Sequence, residues 1–190
     1  MSHDELENRN HAVARAIMGD HFFGIPDIER CIGWVTDEQY DALAIIPYSE
    51  QQLKEYSKSH ILVARVPRTF FFFQTILDYL FLQPHQEWCG RNYLLNYPGK
   101  TGWLLISKSL YSRIDDAISE VPEVWDLVYL MILVFLAKEH RLFAGESVLT
   151  STQFGQYFAS IEWKGRKLLF SCVQPGDKSR FAACIPPAHP

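Results

Sequence analysis

What is missing narrows the reading first. No glycine-rich phosphate loop, no H-E-x-x-H, no G-x-S-x-G and no C-x-x-C pair occurs in the 190 residues. The motifs whose mechanics are best understood are therefore absent, which weighs against an enzyme without excluding one. Long apolar runs are also lacking: the longest, 127–137, is eleven residues between Asp126 and Lys138. A membrane-spanning helix needs roughly 17–25, so this run is expected to be a buried helix and no membrane partner is expected. Cysteine is sparse, with Cys31, Cys89, Cys172 and Cys184 far apart, and the expectation is reduced, mostly buried thiols. The start, Met1-Ser2-His3-Asp4-Glu5, has neither the basic nor the apolar region of a secretion signal, which points to the cytoplasm. Positive charge is not in excess either: the net charge is −4 and the pI near 6.0. That disfavours a nucleic-acid partner bound mainly through its phosphates.

What is present is apolar mass. Hydrophobic residues make up 48% and charged residues 21%, far from the composition that keeps a chain unfolded. A chain of this length buries roughly two-thirds of its unfolded surface, so one domain spanning 1–190 is expected. Charge is uneven along it. Residues 1–60 carry eleven acids against five bases, a net of −6, and residues 146–190 carry five bases against three acids, a net of +2.

Periodicity divides the chain at residue 60. Residues 4–18 place Leu6, Val13, Ile17 and Met18 at helical spacing, with Gly19 as a stop. Pro26 suits the first turn of a second helix that ends near Gly33. Thr36 caps a third, and Ser49 with Gln52 makes a capping box for a fourth. Residues 60–66 are a short β-branched run stopped by Pro67, read as a buried strand. The stretch 70–82 leans towards helix from about 74, and 84–101 is rich in turn formers and aromatics and reads as irregular. A strand follows at 102–107, then a long buried helix from about 119 to 140. The last fifty residues switch to period two, with strands at 147–152, 157–164, 167–173 and 180–185 separated by turn chemistry. Helices first and strands last predict an α+β fold: an amino-terminal helical layer (1–59), a long buried helix and a mainly antiparallel sheet ending in a carboxy-terminal meander.

Two regions offer ligand-binding chemistry. Trp88, Arg91, Asn92, Tyr93 and Tyr97, with Asn96, lie in the irregular stretch, where amphipathic aromatics beside Arg and Asn form recognition surfaces. Lys164, Arg166, Lys167 and Arg180, with Lys178, lie on the carboxy-terminal hairpins and suit an acidic protein partner or a small anionic ligand. Other groupings carry less. His85, Glu87 and Cys89 alternate, so an extended segment would put them on one face, but zinc sites are usually tighter. No metal and no cofactor is assigned. Asp115 and Asp116 are adjacent and diverge by about 100° in a helix, unlike paired catalytic carboxylates. The expected function is a non-catalytic binding or interaction module. The alternative is a small metal-independent hydrolase or transferase with His60, His85 or His140 as base.

The words Ile17-Met18-Gly19-Asp20-His21-Phe22-Phe23-Gly24, Ile46-Pro47-Tyr48-Ser49-Glu50, His60-Ile61-Leu62-Val63-Ala64, Arg141-Leu142-Phe143 and Thr150-Ser151 resemble those of an uncharacterised family of bacterial proteins. The resemblance spans most of the chain and implies a shared architecture, with no activity to carry over. It departs at the carboxy terminus: Lys178-Ser179-Arg180-Phe181 stands where that family has an Asp- and Tyr-rich hairpin.

Overall fold

The computed structural model describes residues 3–69, 72–73, 75, 78–80, 98–112, 120–176 and 179–187. Among them are five α-helices, α1 (His3–Met18), α2 (Ile25–Cys31), α3 (Asp37–Leu43), α4 (Glu50–Tyr56) and α5 (Val124–Lys138). Eight strands accompany them: β1 (Phe22–Phe23), β2 (His60–Arg65), β3 (Gly102–Ser107), β4 (Val148–Phe154), β5 (Tyr157–Lys164), β6 (Lys167–Val173), β7 (Arg180–Phe181) and β8 (Cys184–Ile185). The α+β class is as expected. Of the stretch 70–82, the residues 72, 73, 75 and 78–80 are described and all are helical.

Local signals set the helix starts. Thr36 Oγ1 accepts from Gln39 N at 3.3 Å while Gln39 Oε1 accepts from Thr36 N at 3.2 Å. Ser49 and Gln52 repeat this at α4, at 3.2 and 3.1 Å. Each reciprocal pair satisfies two backbone donors that a helix start leaves open. At α2 the N3 side chain does the work: Asp27 Oδ2 accepts from Gly24 N at 3.0 Å, and Arg15 and Arg30 hold that carboxylate at 3.4 and 2.9 Å. Pro26 sits in the first turn, where its missing N–H costs nothing.

The expected single sheet is in fact two mixed sheets. One has the order β1-β2-β3-β8 and the other β6-β5-β4-β7. β2 and β3 run antiparallel with Ile61 opposite Ile106, and β1 joins β2 in parallel through Phe22 and Leu62. In the second sheet β4, β5 and β6 pair antiparallel in chain order. The expected fourth strand at 180–185 is a correction, because its two halves go to different sheets. Arg180–Phe181 runs parallel beside β4, whereas Cys184–Ile185 pairs antiparallel with β3. The physical reason lies in Ser107, which is fully buried: it donates from Oγ to Ser109 O at 2.8 Å, accepts there from Ala183 N at 2.9 Å, and donates from its own N to Ala183 O at 2.8 Å. That clamp draws the chain off the second sheet and onto the first.

Helix α5 lies between them. Every residue from Val124 to Phe135 is buried, and α5 packs against α2, β2, β4 and β5. An all-round apolar surface requires walls on every side. Trp125 is pinned at one end: its Nε1 donates to Pro98 O at 2.9 Å. Gly99, at φ 77, follows, and a Cβ there would meet Trp125 Cδ1 at 2.2 Å. Asp126 is the single charged residue in the buried run 124–135, and it pairs with Arg65 at the end of β2, both side chains about nine-tenths buried. Another correction concerns the thiols. Cys31 and Cys184 are free, but Cys172, partly buried on the edge strand β6, is disulfide-bonded. Burial pushes the Cys184 thiol up to about 11, so it stays protonated and inert.

The ion pair between β2 and α5 generates a prediction. Arg65→Met leaves a buried, uncompensated carboxylate and should cost about 3–5 kcal/mol in urea denaturation, whereas R65M combined with Asp126→Leu should recover most of that loss. A cost below about 1 kcal/mol for R65M, in the range of an exposed pair, would contradict this placement.

Candidate functional site

The β5–β6 hairpin closes with Gly165-Arg166. Gly165 has φ 63, the value a two-residue type II′ turn requires at its first central position. The turn sets Arg166 at the tip and places Lys164 directly opposite Lys167. Two ammonium groups facing each other across a ladder repel. Lys164 is partly relieved by Glu162, whose Oε2 lies 3.3 Å away, while Arg166 and Lys167 have no carboxylate within 4 Å among the described residues. These three bases line one cavity of about 660 Å³ with Tyr79, Phe135 and Glu139. Leu80 and Leu136 extend its apolar wall. Phe135 is held by Trp163, with ring centres 5.3 Å apart. The cavity therefore has an apolar floor from α5 and a basic rim from the hairpin.

Arg180, expected on the same face, faces a different cavity. This second space, about 550 Å³, is bounded by Lys108, His140, Arg141, Phe143 and Glu146 as well as Arg180. It opens at the seam of the two sheets, because Lys108 follows β3 and Arg180 is on β7. A two-way bridge fixes the seam: Tyr111 N donates to Phe181 O at 2.8 Å and Phe181 N to Tyr111 O at 2.9 Å. The loop 139–147 between α5 and β4 separates the cavities. Arg141 Nη1 donates to Gly165 O at 2.6 Å, and Trp163 Nε1 donates to Leu142 O at 2.9 Å. Two non-glycine residues in it have left-handed backbone, Glu139 at φ 53 and Phe143 at φ 60. Each costs about 1–2 kcal/mol, and each borders one of the cavities.

Trp88, Arg91, Asn92, Tyr93 and Tyr97, the His85, Glu87 and Cys89 set, Asp115 with Asp116, and Lys178 lie outside the described residues. Lys108, Arg141 and Glu146 were not singled out from sequence. Lys108 is far in sequence from the other two, which sit in one loop, and no local pattern could have joined it to them.

His60 is not placed as a base. It is buried under the Tyr56 ring, with centres 4.7 Å apart, and its Nδ1 lies 2.8 Å from Ser59 Oγ. Burial, and then the Lys108 ammonium, lowers its pKa to about 4. The unfolded value is near 6.5, so between those values the unfolded chain binds the extra proton. The contribution of neutral His60 to stability is complete above about pH 6.5 and is lost as pH falls towards 4, up to about 3 kcal/mol at 1.36 kcal/mol per unit. Urea denaturation of the wild type at pH 7 and pH 5 should show this drop, and His60→Gln should flatten it. An unchanged pH slope in H60Q would refute the assignment.

Among the described residues no helix is long and apolar enough to cross a membrane, and no group of three metal-ligating side chains converges. Comparison with known proteins adds no further guide: no family model, no curated protein and no solved structure matches the chain.

Proposed function

We propose that this protein is a non-catalytic binding module whose β5–β6 hairpin and α5 together take up a small amphipathic carboxylate. The observation that carries the reading is the opposition of Lys164 and Lys167 across the ladder with Arg166 between them. That arrangement raises the energy of the empty hairpin and is relieved by an anion. The floor argues for an apolar body behind the charge. The exposed Tyr79 ring and the partly buried Leu136 offer that surface, and pockets of a few hundred Å³ lined by apolar side chains with a few placed polar groups are what small molecules occupy.

The sign and size of the charge follow from the lining. Three bases face Glu139, and Glu162 already engages Lys164. About one positive charge is left unanswered, which fits a monoanion better than a phosphate. An acidic protein surface is the other partner such bases suit, but the apolar wall behind the bases favours the small molecule.

Calorimetric titration tests the reading with octanoate and phenylacetate against their uncharged amides. The carboxylates should bind saturably, and Arg166→Gln with Lys167→Gln should weaken them about tenfold, or roughly 1.4 kcal/mol. Higher salt should weaken them as well, because the rim is exposed. Equal binding of acids and amides, or no saturable binding of either, would refute it.

A further inference from the structure

The seam cavity holds three bases from three separate elements. Lys108 comes from the turn after β3, Arg141 from the α5–β4 loop and Arg180 from β7. None has a carboxylate within 4 Å among the described residues, where the ion pairs involve other bases. Instead they are steered by neutral acceptors. Lys108 Nζ lies 3.0 Å from His21 Nε2, whose Nδ1 donates to Ser57 O at 2.9 Å. Arg141 donates to Gly165 O, and Arg180 Nη1 to Ser179 O at 3.1 Å. A carbonyl or imidazole partner orients a cation without neutralising it, so its charge is left for a ligand.

The scaffold behind these groups is built as a site needs to be. The buried Ser107 hydroxyl fixes both the turn that carries Lys108 and the link from β7 to β8. Lys108 N donates to Ser59 O at 2.8 Å, tying the same turn to the start of β2. Burial and then the neighbouring Lys138 ammonium press the Lys108 pKa down, as expected where cations crowd without a counter-charge. Against three bases stands one acid, the exposed Glu146, which leaves a surplus of two positive charges before His140 is counted.

We infer that the seam cavity bounded by Lys108, Arg141 and Arg180 is a binding site for a phosphate dianion, carried as a phosphomonoester or as free phosphate. Two guanidinium groups and an ammonium meet the oxygens of a phosphoryl group with charge-assisted hydrogen bonds. The cavity, about 550 Å³, has apolar walls from Leu142 and Phe143 beside the basic side, which gives an organic group room next to the phosphate. This site is separate from the hairpin cavity and differs from it in charge, two unanswered positive charges rather than one.

The test is calorimetric titration of the full chain with phenyl phosphate, inorganic phosphate and phenyl sulfate, the last a monoanion of similar shape. Both phosphates should bind saturably and more tightly than phenyl sulfate. Arg180→Gln and Lys108→Gln should each weaken them about tenfold, and circular dichroism of each variant should show native folding. Phenyl phosphate binding above inorganic phosphate assigns the site to a phosphomonoester, and equal affinities assign it to the free ion. The hairpin variant R166Q with K167Q should leave both phosphates unaffected, so failure here and failure of the carboxylate site are read separately. No saturable phosphate binding, phenyl sulfate bound as tightly as the phosphates, or unchanged affinity in both R180Q and K108Q would overturn the inference.

Discussion

A helix that is apolar on every side cannot rest on a single surface, and α5 is such a helix: twelve consecutive residues, Val124 to Phe135, are buried. Each buried aliphatic or aromatic side chain stabilises the fold by roughly 1.5–3 kcal/mol, but only if protein surrounds it. The chain therefore has to supply walls on all sides, and one sheet has only one face to offer. Two sheets on either side of α5, with α2 packed against it as well, meet the requirement, and buried side chains from both sheets join one apolar cluster around α5. The Arg65–Asp126 pair makes the same point from the polar side. A carboxylate inside that cluster has to be matched by a cation delivered at one position, which ties the register of α5 to the end of β2.

The functional geometry follows from where α5 stops. After Lys138 the chain must turn out of the core and reach β4, and it does so through left-handed residues at Glu139 and Phe143. Glycine would take these φ values at little cost, so a glutamate and a phenylalanine there store backbone strain beside the cavities. Glu139 borders the hairpin cavity and Phe143 the seam cavity. Arg141, between them, holds the hairpin turn through Gly165 O while it lines the seam. One short loop thus shapes both cavities.

Local rules carried much of the architecture. Thr36 with Gln39 and Ser49 with Gln52 announce their helices because the capping chemistry lies within three residues. Gly155 and Gly165 mark their hairpins in the same way. Elements defined only by what they meet in space were not legible. Phe22-Phe23 is a strand solely because Leu62 and Val63 lie beside it. The apolar pattern of 180–185 reads as one strand, and only the distant Ser107 divides it. Charges inside apolar runs were legible in principle: Arg65 and Asp126 each interrupt a buried segment, and two opposite charges in such positions demand each other.

The same division explains the sites. Lys164, Arg166 and Lys167 could be found from sequence because a two-residue turn brings them together by itself. Lys108, Arg141 and Arg180 could not, since they meet only where the two sheets join. The whole chain carries −4, and its acids are concentrated in the first sixty residues, away in sequence from most of these bases. A general field therefore would not draw anions to the protein. Attraction has to be local, within about 10 Å at ordinary salt, and it has to come from bases whose charge is not already answered. Neutral acceptors such as Gly165 O, Ser179 O and His21 Nε2 provide that condition. They fix the direction of each cation at no cost in charge, and the orientation a ligand would otherwise have to impose is already present in the fold.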